Sequence, residues 1–122
     1  GASAAYGVTL RAANARVPKR VALGEAGPLA FRAVRRADGP GKPRVIVDLA
    51  APAGANVDLF AEGPTPEWAL PLPEAVADAP AGVKRFAFEL DGLPPGASAS
   101  GATLLLTAVA GDQAVETTFK LE

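Results

Sequence analysis

The stretch Thr103-Leu104-Leu105-Leu106-Thr107-Ala108-Val109-Ala110-Gly111-Asp112-Gln113-Ala114-Val115-Glu116-Thr117-Thr118-Phe119-Lys120-Leu121 contains two extended segments hinged on Gly111-Asp112. In the second segment Val115, Thr117, Phe119 and Leu121 fall on one side of a period-two alternation. Glu116, Thr118, Lys120 and Glu122 fall on the other, the pattern of a half-buried strand. Thr103 to Val109 is apolar on both sides and so reads as an interior strand. A Gly-Asp pair between two such segments is a hairpin signal.

The same period recurs toward the N-terminus. Phe86, Phe88 and Leu90 alternate with Arg85, Ala87 and Glu89, and Val45, Val47 and Leu49 form a third set. Leu29, Phe31 and Ala33 alternate with Ala30, Arg32 and Val34, and Val8, Leu10 and Ala12 form a further set. Breaks at Gly24 to Pro28, Asp38 to Pro43, Ala51 to Ala55, Gly63 to Pro66 and Asp91 to Gly101 separate them. Twelve prolines and 13 glycines spread over 122 residues leave little room for a long helix. The expected fold is all-β, an antiparallel immunoglobulin-like β-sandwich of about seven to nine strands. A single β-barrel is the alternative. The irregular stretch from Gly63 to Pro80 reads as a long excursion or a bent edge strand. Gly1-Ala2-Ser3 reads as a cloning remnant, so residues 1–6 are expected to be a disordered start and residues 7–122 a single domain cut from a longer protein.

Composition narrows the chemistry. The chain has no cysteine, histidine or methionine. It therefore lacks an imidazole proton shuttle, a thiolate nucleophile and soft metal ligands. No cofactor and no metal site is expected. A net charge of −1 provides no bulk attraction to nucleic acid or to an acidic membrane, and no apolar run reaches the ~18 residues of a membrane-spanning helix. Gly39-Pro40-Gly41-Lys42-Pro43 has glycines and a lysine in the order of a phosphate-cradling loop. It lacks the four-residue spacing, the hydroxyl residue and the helix, and reads as a hairpin turn. No pair among the carboxylates is singled out by its spacing for acid–base work, and solvated strand faces account for them.

Two features bear on binding. Up to residue 44 there are nine basic residues and two acidic ones, a net +7; beyond it there are three basic and 11 acidic, a net −8. Either the basic part, with Arg32, Arg35 and Arg36 at its centre, is a docking surface, or basic and acidic strands neutralise each other across the sheets. Trp68, the only tryptophan, stands in the proline-rich excursion. It is either an exposed anchor or a plug at one end of the sandwich.

From Val57 the chain runs Asp58-Leu59-Phe60-Ala61-Glu62-Gly63-Pro64, then Glu67-Trp68-Ala69-Leu70-Pro71-Leu72-Pro73-Glu74. A strand ending in Leu-Phe, then Glu-Gly-Pro, an aromatic and Pro-Glu resembles the periplasmic N-terminal region of bacterial membrane thiol:disulfide reductases, the DsbD-like proteins and particularly the ScsB-type group. The Leu93-Pro94-Pro95-Gly96 turn and the closing hairpin sit where that region would continue, so the resemblance covers residues 43–122. In that family an immunoglobulin-like periplasmic domain carries a cysteine pair, which passes electrons from a membrane domain to periplasmic partners. The absence of cysteine means that no catalytic residue carries over. The resemblance implies a cysteine-free accessory sandwich in the periplasm, part of an inner-membrane protein. It would space or dock the redox-active domain, with neighbouring domains and periplasmic thiol-redox proteins as partners and no membrane insertion of its own. Arg32, Arg35, Arg36, Phe60, Glu62 and Trp68 are the candidate docking residues. The alternative is a free-standing carbohydrate- or protein-binding sandwich.

Overall fold

The computed structural model describes residues 18–38, 41–77 and 79–121. The Val8–Ala12 segment, the start at residues 1–6, Arg11, Arg16, Gly39, Pro40, Asp78 and Glu122 lie outside the described residues. Eight strands follow in order: β1 (Lys19–Arg20), β2 (Ala30–Ala37), β3 (Arg44–Ala50), β4 (Val57–Glu62), β5 (Glu74–Val76), β6 (Val83–Glu89), β7 (Thr103–Ala110) and β8 (Gln113–Lys120). They form two four-stranded sheets, ordered β1-β8-β7-β4 and β2-β3-β6-β5. This is the expected sandwich and not a single closed barrel. Among the described residues no helix is long and apolar enough to cross a membrane.

The opening hairpin stretch folds as its pattern requires. β7 and β8 pair antiparallel from Thr103↔Lys120 to Ala110↔Gln113. Gly111, at φ 62°, takes the left-handed conformation that a two-residue hairpin loop needs. β7 lies inside its sheet between β8 and β4, which explains its apolar residues on both faces. Leu104, Leu106 and Leu121 meet Phe31, Val45, Val47 and Leu49 from the facing sheet, and all seven are almost fully buried. This inter-sheet layer is the main apolar store of the fold.

Three strand details depart from simple alternation. Arg32 is an extra residue in β2, because Phe31 pairs with Leu49 and Ala33 with Asp48. The bulge resets the register, so Val34 is buried and Ala33 is exposed, the reverse of the alternation of Leu29, Phe31 and Ala33. Burying valine rather than alanine removes more apolar surface from water, which favours the shift. β1 pairs parallel with β8, the one parallel pairing among the described strands. The two are distant in sequence and no tight turn dictates their direction. Glu116, on the polar side of β8, is only 8% exposed. Arg20 of β1 covers it, with Nη2 2.7 Å from Oε2.

Candidate functional site

The six candidate residues do not converge. β2 is an edge strand of its sheet and packs across the sandwich near β8. β4 is the edge strand at the far end of the other sheet. Since the two sheet orders run in the same sense from the β2–β8 contact, β2 and β4 occupy opposite edges of the sandwich. Arg32, Arg35 and Arg36 therefore lie on one edge, and Phe60 and Glu62 on the other.

Nor do the three arginines share a face. Arg35 is opposite Ile46 on the outer side of the sheet, whereas Arg36 is opposite the core residue Val45. Arg36 instead reaches over the end of the sandwich. Its Nε donates to Asp38 Oδ1 at 3.2 Å, and Nη1 donates to Ser100 Oγ at 3.5 Å in the loop before β7. Arg32 projects from the bulge and is exposed. A bulge and charged side chains are the devices that keep a long edge strand from pairing with another chain, and β2 combines both.

On the opposite edge, Phe60 pairs across to Thr107 and Glu62 to Leu105, both on the outer face of their sheet. The register continues from Phe60 through Thr107 and Glu116 to Arg20, one row spanning all four strands. Both Phe60 and Glu62 are half-buried.

Trp68 is 5% exposed, folded back from the excursion. Two glycines hold it there. A side chain at Gly63 would overlap the Cβ and Cγ of Trp68, and one at Gly92 would overlap the Ala69 carbonyl. Ala69 N–H donates to the Gly92 carbonyl at 2.9 Å, and Trp68 N–H donates to the Thr65 carbonyl at 3.2 Å. The excursion is thus clamped between two points of close backbone approach. Neither glycine stood out in the sequence, where both read as ordinary turn residues. The beginning of the irregular stretch at Gly63 was the only signal.

The charges are partly neutralised within the fold. Arg85 of β6 and Asp48 of β3 are cross-strand partners and make a bidentate pair of 2.7 and 3.0 Å, with side chains only 19% and 18% exposed. The Arg85 hydrogen bonds hold the Asp48 carboxyl below its usual range, against the opposing effect of burial, and the charges of Arg85 and Arg35 add to the lowering. Lys42 lies 2.6 Å from Asp91, so the lysine of the glycine-lysine turn is committed to an ion pair. The hydrogen bond with Asp91 raises the Lys42 pKa, and the same bond, with the Gly92 N–H, lowers that of Asp91. Pro43 accepts from Leu90 N–H beside this pair, and Ala37 pairs with Arg44, so the described residues Lys42 and Pro43 lead into β3 of an antiparallel β2–β3 pair. Among the described residues no group of three or more acidic, histidine or cysteine side chains could hold a metal ion.

No protein-family model matches this chain, and no curated protein matches it. Among solved structures, the chain is similar to the N-terminal periplasmic domain of ScsB from Proteus mirabilis, with a TM-score of 0.55 and 13% sequence identity. The match covers 97% of this chain and 44% of that one, so the chain spans less than half the length of its structural relative. At that identity the likeness is one of fold. It is a likeness to the region that the residues from Val57 to Glu74 resemble.

Proposed function

We propose that this chain is a non-catalytic accessory domain of a membrane thiol:disulfide reductase of the DsbD-like, ScsB-type group, acting in the periplasm as part of an inner-membrane protein. The observation that carries the proposal is the shared fold over 97% of the chain, joined to the complete absence of cysteine. Without a thiol the segment cannot exchange disulfides, so its contribution is to space the redox-active domain from the membrane or to dock it against partners. A rigid two-sheet core with differently charged edges suits that work. Arg32 and Arg35 would serve on the β2 edge, with Arg36 fixing the end of the sandwich, while Phe60 and Glu62 would serve on the β4 edge. Trp68 would act from below by holding the excursion in place.

The direct test deletes this segment from the full-length parent and follows reduction of its periplasmic partners. Slower reduction is expected, with the membrane domain's own electron transfer intact. Unchanged rates would end the docking proposal. A second arm reverses charge at Arg32 and Arg35 together, which should slow partner reduction without altering the fold. A free-standing carbohydrate-binding module led by Trp68 would need that ring in solvent, and at 5% exposure it is not there.

A further inference from the structure

The excursion that buries Trp68 leaves other apolar side chains outside. Among the described residues only three large hydrophobics are exposed, and two of them, Leu72 at 60% and Val76 at 36%, lie at strand spacing on either side of Glu74. They line a groove of about 530 Å3 with Arg44, Glu74, Ala87 and Glu89. A volume of this order accommodates one or two side chains of a ligand. Exposed apolar side chains beside such a recess mark an interaction site more often than isolated ones do.

Charge indicates what the groove takes. Two of the three charged residues that line it, Glu74 and Glu89, are acidic. Arg44, the one cation lining the groove, is the cross-strand neighbour of Glu89, whereas Glu74 stands opposite Ala87 and has no cation across from it. The backbone limits the mode of binding. β5 is an edge strand of three residues, and Pro71 and Pro73 precede it while Pro80 follows. Prolines lack the N–H that a ladder needs, so a long added strand is disfavoured and recognition falls to side chains.

We propose that this groove docks an extended segment of a partner protein that offers an apolar side chain beside a lysine or arginine. The apolar side chain lies between Leu72, Val76 and Ala87, and the cation meets Glu74. An acidic lipid surface is disfavoured by the same carboxylates. The inference stands on this chain alone and does not depend on the parent's being a reductase.

The test titrates the isotope-labelled chain with three acetylated and amidated peptides, followed by amide chemical shifts. The first is Gly-Ser-Lys-Val-Leu-Lys-Gly-Ser. The second replaces both lysines with glutamate, and the third replaces Val-Leu with Ser-Ser. The first peptide is expected to move the amides of residues 72–76 and 87–89 and to saturate. The glutamate peptide should bind about three- to tenfold more weakly, the range given by one or two exposed charge contacts. The serine peptide should bind at least as weakly. Leu72→Ser, which alters an exposed residue and should leave thermal unfolding unchanged, is expected to weaken the first peptide by a similar factor. Shifts centred elsewhere, equal affinity for the lysine and glutamate peptides, or no saturable binding at millimolar peptide would each overturn the proposal.

Discussion

Replacing Gly63 with alanine should destabilise the protein and displace its only tryptophan. The added methyl would overlap Cβ and Cγ of Trp68 and lie 2.6 Å from its Cδ2. Because Cβ is tied directly to the backbone, a rotamer change cannot relieve the clash, and the segment around Trp68 has to shift. That segment is itself held by the Ala69–Gly92 hydrogen bond, so the strain spreads to the loop after β6. Overpacking of this kind costs about 1–3 kcal/mol. Full expulsion of the indole sets the upper bound. Burying an aromatic side chain removes roughly 150–250 Å2 from water, or about 4–6 kcal/mol at the usual coefficient, so a shift of the segment is the cheaper response.

Trp68 emission reports this change without interference from another tryptophan. In Gly63→Ala the emission maximum should move toward longer wavelength, and the urea midpoint should fall by an amount equivalent to about 1–3 kcal/mol. Gly41→Ala is the control, since a side chain there meets nothing within 4 Å and the backbone is not left-handed. Its midpoint should stay within about 0.5 kcal/mol of the parent. Native-like emission and an unchanged midpoint in Gly63→Ala would refute the clamp.

Asp48→Asn should cost about 1–3 kcal/mol at neutral pH, because it removes the charge from a largely buried bidentate pair. The folded-state pKa of Asp48 is lowered, so its contribution is present above the unfolded value of about 3.9 and is lost as pH falls through the folded value. The urea midpoints of parent and variant should therefore converge in acid, and a constant difference from pH 7 to pH 2 would contradict the assignment. Lys42→Ala, by contrast, removes one partner of an exposed pair, and its urea midpoint should match the parent's at physiological salt. The bulge in β2 predicts that Ala33→Asp folds while Val34→Asp does not, as judged by far-ultraviolet circular dichroism. Uninterrupted alternation predicts the opposite pair of results.

Most of the sandwich was legible because its strands obey period two where one face meets the core. Val45, Val47 and Leu49 are all fully buried, and Phe86, Phe88 and Leu90 nearly so. The alternation fails at Arg32 because a bulge is a choice between two registers, and the choice depends on which side chain the opposite sheet can bury. The parallel pairing of β1 was not legible, since two residues carry no period. Glu116 read as solvated because a sequence pattern gives the face but not the neighbouring strand, and Arg20 comes from a strand that pattern cannot place.

The division of charge shows a further limit of the same kind. A net +7 followed by a net −8 could have meant two docking surfaces or one neutralised body, and the strand order gives each a part. Where a strand of the basic part became the sheet neighbour of one from the acidic part, they paired, β1 with β8 through Arg20 and Glu116, whereas the Asp48–Arg85 pair of β3 and β6 lies wholly within the acidic part. Where they became the outer strands of different sheets, they separated, leaving Arg32 and Arg35 on the β2 edge and Asp58 and Glu62 on β4. Net charge per segment carries no information about which of these outcomes applies, because adjacency in a sandwich is set by topology. The two edges consequently favour partners of opposite sign. One partner touching both Arg32 and Glu62 would have to span the full width of the sandwich. For any one partner, charge reversal at only one of these two positions should therefore change affinity, and sites this far apart would contribute additively in any case. A loss of affinity from each reversal separately would mean that one partner wraps the domain from edge to edge.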